Sequence, residues 1–174
     1  VLGSGYGILN GELVDSNGGA DNLMVNSSSQ TVTDGIVTVD VKGFSSPSNP
    51  DLSVMVRYQD NNNYYLIHPY GSTLSIYERL SGTYYLRASA AISPIVLGRS
   101  YRLQVTLDQG NIYVYWDSAF VVYWTDTTPW LSGKVGFRQC LYRKVHWDNM
   151  TVTSGGPGKL VSNDDYDPWG MVLE

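Results

Sequence analysis

The feature that most constrains this chain is the two-residue alternation of apolar and polar side chains, which recurs along most of its length with no long segment of helical period. Gly35-Ile-Val-Thr-Val-Asp-Val-Lys42, Tyr101-Arg-Leu-Gln-Val-Thr-Leu107 and Asn111-Ile-Tyr-Val-Tyr-Trp116 are clear instances. Successive side chains of a strand point to opposite faces, so this pattern demands β-structure with one face buried. The spacing predicts strands over Gly7–Val14, Asn22–Val25, Gly35–Lys42, Leu52–Tyr58, Tyr64–Pro69 and Leu74–Arg79. Further strands are expected over Tyr84–Ala90, Ser100–Leu107, Asn111–Trp116, Phe120–Trp124, Gly133–Cys140 and Lys144–Thr153. Between them stand Asn17-Gly-Gly19, Asp60–Asn63, Tyr70-Gly-Ser72, Ser81-Gly82, Asp108-Gln-Gly-Asn111 and Trp116-Asp-Ser118, all rich in turn formers. Many short antiparallel strands at this spacing predict an all-β fold, a two-sheet antiparallel β-sandwich or jelly roll.

The alternation also assigns faces. Val54, Val56 and Tyr58 are expected on one face of their strand, with Met55 and Arg57 on the other. Leu74, Ile76, Tyr101, Leu103, Val105, Leu107, Ile112, Val114, Trp116, Val135 and Phe137 are expected inside. Tyr77, Tyr113, Tyr115 and Arg138 are expected outside.

With 174 residues the chain suits one domain with a sizeable core. Charged residues are 16%, against about a quarter in average proteins, while Tyr (14) and Gly (18) are abundant. Hydroxyls, amides and rings therefore dominate the expected surface, which suits sugar or peptide contact. A net charge of −5 argues against a nucleic-acid backbone partner. The lone Cys140 excludes an internal disulfide and a cysteine zinc cluster, and His68 and His146 are too few for a three-histidine site. No apolar run approaches transmembrane length, so no membrane insertion is expected, and no signal peptide is evident. The chain begins at Val1 and ends at Glu174 in mid-pattern, as a piece of a larger parent with other domains would. Asn26-Ser-Ser28 and Asn149-Met-Thr151 are sequons of a kind common by chance. Ser154-Gly-Gly-Pro-Gly158 reads as a linker. The expected division is a sandwich over 1–153 and a linker with a tail over 154–174.

Several stretches, in order, carry a resemblance. Arg57-Tyr-Gln-Asp60 is followed by Asn63-Tyr-Tyr65, Leu74-Ser-Ile-Tyr-Glu-Arg79 and Gly82-Thr-Tyr-Tyr-Leu86. Tyr101–Val105, Asn111–Asp117, Ser132-Gly-Lys-Val-Gly-Phe-Arg138 and Trp147-Asp-Asn-Met-Thr-Val152 complete the series. Over about residues 6–153 the chain resembles the concanavalin A-like lectin/glucanase sandwich, in the laminin-G-like modules of bacterial secreted proteins. Asp165-Tyr-Asp-Pro-Trp-Gly-Met-Val-Leu173 resembles a YD-repeat of Rhs-type bacterial proteins. The two resemblances together imply a secreted or cell-surface location and a large bacterial parent. The first also implies a structural Ca²⁺ that joins an acidic N-terminal segment to Asp148 of the closing strand. Such a segment is not found in this sequence, and the alternative for Asp148-Asn149 is a polar pair satisfying backbone groups at a bulge.

Glucanases of the sandwich type carry Glu-x-Asp-x-x-Glu on one strand, since glycoside hydrolysis needs two carboxylates facing each other. No strand here has that pattern. Glu occurs only at Glu12, Glu78 and Glu174, and no Gly-x-Ser-x-Gly elbow is present. The chain is therefore expected to be non-catalytic. Sugars stack their apolar faces on aromatic rings and pair their hydroxyls with Arg, Asn, Asp and His. Arg57, Tyr65, His68, Tyr77, Tyr84 and Arg138 are the candidate glycan-binding residues. The bland reading of each is an exposed strand residue favoured by β-propensity. Within Arg57-Tyr-Gln-Asp-Asn-Asn-Asn-Tyr-Tyr-Leu-Ile-His-Pro-Tyr70, Asp60–Asn63 is expected to turn a hairpin. The pattern leaves open whether Arg57, Tyr65 and His68 share a face with Tyr77 and Arg138. The expected function is a non-catalytic, lectin-like module binding glycan or polysaccharide. The alternatives are a structural or adhesion module that recognises protein or acts as a spacer, and, third, a glycoside hydrolase-like domain.

Overall fold

A computed structural model describes residues 6–9, 12–15, 22–25, 31–43, 50–139 and 145–155. The described residues form thirteen strands and no helix. They are β1 (Tyr6–Leu9), β2 (Glu12–Asp15), β3 (Asn22–Val25), β4 (Gly35–Gly43), β5 (Ser53–Asp60), β6 (Asn63–Tyr70) and β7 (Thr73–Leu80). Then come β8 (Thr83–Ala91), β9 (Ser100–Asp108), β10 (Asn111–Trp116), β11 (Ala119–Thr125), β12 (Lys134–Gln139) and β13 (Val145–Ser154). One sheet has seven strands in the order β1-β2-β13-β4-β9-β10-β11, the other six in the order β3-β12-β5-β6-β7-β8. All pairings are antiparallel. The fold is the expected β-sandwich. No helix among the described residues is long and apolar enough to cross a membrane. The tail from 156 onward, including the YD-like stretch, lies outside the described residues, as do Cys140 and the sequon at Asn26.

Alternation determines the core. Val37, Val39 and Val41 of β4 pack with Tyr101, Leu103, Val105 and Leu107 of β9 and with Ile112, Val114 and Trp116 of β10. Facing them are Val54, Val56, Ile67, Leu74, Ile76, Val135 and Phe137 of the six-stranded sheet. Trp147 of β13 is 1% exposed and lies against Phe137, with ring centroids 5.0 Å apart. The expected hairpins close with turn chemistry. Asp60 pairs with Asn63 across the β5–β6 turn, and its carboxylate accepts the Asn62 amide at 2.7 Å. Positive φ at both Ser81 and Gly82, and at both Asp117 and Ser118, is the type I′ geometry that matches strand twist.

Two strand readings need correction. Gly7–Val14 is not one strand but the hairpin β1–β2, with Leu9 opposite Glu12. Asn10-Gly11 stands between them in the sequence, the pair that two-residue hairpins favour, and alternation running through it hid the break. In β5 the expected faces of Arg57 and Tyr58 are exchanged. Arg57 has φ +49°, and the β5–β6 register shifts between Val56 and Asp60. This bulge turns Arg57 inward, where it is 0% exposed, and puts Tyr58 on the outer face against Tyr64.

The bulge needs a glycine beside it. A Cβ on Gly133 would lie 2.3 Å from the backbone carbon of Arg57, so only a bare Cα fits. Gly133→Ala is expected to destabilise the protein by about 1–3 kcal/mol, read as a lower denaturant midpoint at unchanged m-value.

Candidate functional site

The outer face of the six-stranded sheet carries most of the sequence-derived candidates. Alternation along β6 puts Tyr64, Leu66, His68 and Tyr70 outside, while Tyr65 and Ile67 face the core. Tyr77 and Arg79 of β7, Tyr84 of β8, Met55 and Tyr58 of β5 and Arg138 of β12 share that outer face. Met55, Tyr64 and Leu66 are at most 2% exposed, although they point away from the main core. A roof explains this. The Arg138 guanidinium lies over the Tyr84 ring, 5.2 Å from its centroid. Their strands are four positions apart in the sheet, about 19 Å if it were flat, farther than the two side chains reach. The sheet therefore curls towards this face, and its edges meet above the central strands.

The rings form a continuous track. Tyr70 stacks on His68 at 5.4 Å, His68 meets Tyr77 edge-on at 5.8 Å, and Tyr77 meets Tyr84 edge-on at 6.3 Å. Tyr84 leads to Tyr64 at 6.2 Å and Tyr64 to Tyr58 at 5.9 Å. The Tyr64 and Tyr84 hydroxyls are 2.5 Å apart, and Arg79 Nη1 donates to both at 3.1 Å. Burial, followed by the bond to Tyr64, pushes the Tyr84 phenol well above the usual tyrosine range, so it stays protonated near neutrality.

His68 is held from below. Its Nδ1 is 3.1 Å from Asp51 Oδ1 and 2.8 Å from Ser53 Oγ, and the Ser53 hydroxyl donates to Asp51. A carboxylate only accepts, so Nδ1 carries a proton and points at Asp51. Nε2 makes no hydrogen bond and is not buried. Asp51 is 1% exposed and also faces Arg138 Nη1 at 3.5 Å. Burial alone would raise the Asp51 carboxyl. The bonds from His68 and Ser53 and the charges of His68 and Arg138 outweigh it, holding Asp51 below the usual carboxylate range. Ser53, Asp51 and His68 are not a hydrolytic triad, because Ser53 is 0% exposed and both partners meet the same ring nitrogen.

Arg57 and Tyr65 do not join this face, which corrects their expected placement. The Arg57 guanidinium donates to the carbonyls of Thr33, Gln109 and Trp130 and to Asp34 Oδ1. The Tyr65 hydroxyl donates to Asp126 Oδ2 at 2.5 Å and accepts from the Trp130 amide at 3.3 Å. Its ring packs on Trp124 and Trp130, so Trp130 plugs the end of the sandwich. Sequence reasoning passed over Tyr70, Arg79, Asp51 and Ser53. Parity with His68 and Tyr77 could have found Tyr70 and Arg79, whereas Asp51 lies before β5 where no period applies.

Asp148 sits at a β13 bulge beside Asn149, whose φ is +49°. Its carboxylate accepts the Asn149 amide at 2.8 Å, and Asn149 Nδ2 donates to Asp40, which also binds Arg102. Among the described residues no three His, Cys, Asp or Glu side chains come together, and Asp40 is already bonded to a cation. The Ca²⁺ that the resemblance implies would take at least six oxygens, and the described residues around Asp148 supply no such cluster. Glu78 accepts Arg87 Nε at 2.9 Å and Nη2 at 2.5 Å on one oxygen, the arrangement of a structural ion pair.

No protein-family model matches the sequence, and no curated protein is similar to it at the sequence level. Solved structures are similar in fold. The carbohydrate binding module CBM66 of Bacillus subtilis superposes with a TM-score of 0.74 at 17% identity, covering 84% of this chain and 89% of that one. Sheep galectin-11 gives 0.59 at 12%, covering 77% and 98%. A candidate glycosyl hydrolase from Parabacteroides distasonis gives 0.62 at 11%, covering 91% and 84%. At these identities the likeness establishes a two-sheet β-sandwich fold like theirs and leaves function to the side chains.

Two outcomes test this geometry. Arg57→Ala is expected to cost about 3–5 kcal/mol of folding stability, measured by urea unfolding, because it strips the partner from buried carbonyls and Asp34. Asp51 has a depressed folded value, so its contribution is complete above the unfolded carboxylate range near 4 and fades as pH falls through the folded value. Asp51→Asn should therefore be less stable than wild type at neutral pH. The gap should narrow on acidification below about pH 4, followed by denaturant melts across that range.

Proposed function

We propose that this chain is a non-catalytic carbohydrate-binding module whose site is the outer face of the six-stranded sheet. The observation that carries the reading is the ring track Tyr70–His68–Tyr77–Tyr84, flanked by His68 Nε2 and the Arg138 guanidinium. Sugar rings stack on such a track, and their hydroxyls find a polar partner in His68 Nε2 and donors in the arginines. Curling of the sheet brings the edges together over the track, and the Asp51–Ser53 bonds hold His68 in place, so little ordering remains for the ligand to impose. The fold shared with a carbohydrate-binding module and a galectin supports the same reading. The resemblance of the tail sequence to a YD-repeat supports reading the module as part of a large secreted or surface-exposed bacterial protein.

An adhesion role is the second reading, and one observation favours it. On the outer face of the seven-stranded sheet Tyr113 stacks on Tyr123 at 6.0 Å and Tyr115 meets Phe120 edge-on. Phe120 and Tyr123 are 55% and 58% exposed. A hydrolase is disfavoured by the locked Glu78.

A glycan array separates these readings. Wild type should bind a defined set of glycans, and His68→Ala and Tyr77→Ala should each weaken that binding about ten-fold or more. Tyr77→Ala should melt close to wild type because its side chain is part-exposed, whereas His68→Ala strips a partner from buried Asp51 and should melt lower while still folding. Binding to no glycan, or binding indifferent to both changes, would remove the carbohydrate reading.

A further inference from the structure

The charges of the described arginines are answered, with one exception. Arg57, Arg87, Arg99, Arg102 and Arg138 each bring a guanidinium nitrogen within 3.5 Å of a carboxylate. Arg79, on the outer face beside Tyr84, has none. Its Nη1 donates to the Tyr64 and Tyr84 hydroxyls, its Nε is buried without an acceptor, and its Nη2 makes no bond and is not buried. The guanidinium lies 4.9 Å from the Tyr84 ring centroid and 5.6 Å from that of Tyr64. Asp60, the carboxylate in the neighbouring turn, is bonded to Asn62 and Asn63.

In a chain of net charge −5, Arg79 is thus the described arginine with no carboxylate within ion-pair distance, fixed against Tyr84 and Tyr64 of the aromatic track. Neutral phenols hold the fork still without cancelling its charge, so an incoming anion meets a donor that is already oriented. A sugar stacked on Tyr77 and Tyr84 would carry its ring substituents past Nη2. We propose that the ligand is an acidic saccharide, a polysaccharide bearing uronate carboxylates, and that Arg79 is the residue that selects for the carboxylate. This rests on the carbohydrate reading above. Arg138 contributes less selectivity because Asp51 already faces it.

The test is calorimetric titration of the intact chain with polygalacturonate, alginate and hyaluronate, each beside its carboxyl-reduced, neutral form. At least one acidic polymer should bind about ten-fold tighter than its neutral counterpart at low salt. The preference should shrink as salt rises. Arg79→Gln should abolish the difference between acidic and neutral forms, and Arg79→Lys should keep part of it, with thermal melts confirming that both variants fold. Equal binding of acidic and neutral forms would overturn the proposal. So would a preference that survives Arg79→Gln. If no acidic polymer binds while the glycan array finds neutral ligands, the acid selectivity falls and the carbohydrate reading stands. If the array is blank as well, both fall.

Discussion

The arrangement at one end of the sandwich depends on a buried cation. Arg57 sends its guanidinium into a ring of acceptors drawn from three separate segments: Thr33 and Asp34 before β4, Gln109 in the β9–β10 turn, and Trp130 ahead of β12. Burial works against its charge, and Asp34, followed by Tyr65, Asp126 and Asp108, works for it. A buried guanidinium is tolerable only when nearly every donor meets an oxygen, so the three segments are tied to one point. Asp34 reinforces the tie by accepting the Gln109 amide at 2.7 Å. The left-handed backbone at Arg57 is what aims the side chain inward, and Gly133 leaves the room for it.

The same bulge shapes the opposite surface. Turning Arg57 in turns Tyr58 out, which extends the outer ring track by one aromatic. The curl of the sheet then closes the track from the sides. Arg138 and Arg79 both lie against Tyr84, and beneath them Met55, Tyr64 and Leu66 form a second, small apolar cluster. The outer face is thus a supported surface. Its apolar floor fixes the rings, and of its polar atoms His68 Nδ1 is bonded from below, His68 Nε2 and Arg79 Nη2 face outward, and Arg79 Nε is buried without an acceptor. Preorganisation of this kind is what a site built on strands offers over one built on loops.

Sandwiches of this shape are used by binding modules and by enzymes alike, so the fold cannot decide between them. The side chains do. Glu78 faces away from the ring track and is engaged by both nitrogens of one Arg87 edge, and Ser53 is sealed beneath the surface. What lies open on the curled face is aromatic and basic, the chemistry of recognition.

Strand positions and the main core were legible from the sequence because alternation is a local property. Val105, Leu107, Ile112, Val114 and Phe137 face inward for the reason that their neighbours are polar. Parity likewise put Tyr77 and Arg138 outside. The sequence could not show where parity breaks. In Tyr64-Tyr-Leu-Ile67 all four side chains are apolar or aromatic, so nothing marked Tyr65 as the inward one. At Arg57 a single left-handed residue reversed the expected faces, and that conformation is stabilised by carbonyls distant in the chain. The curl that brings β12 and β8 side chains together is a property of the whole sheet, and it is the fold that leaves Arg79 with no carboxylate partner among the described residues. The sequence by itself determined a two-sheet β-sandwich with a tyrosine-rich, weakly charged surface. Only the tertiary structure decided which tyrosines and arginines are buried supports and which are presented, because those fates depend on partners from strands far apart in sequence.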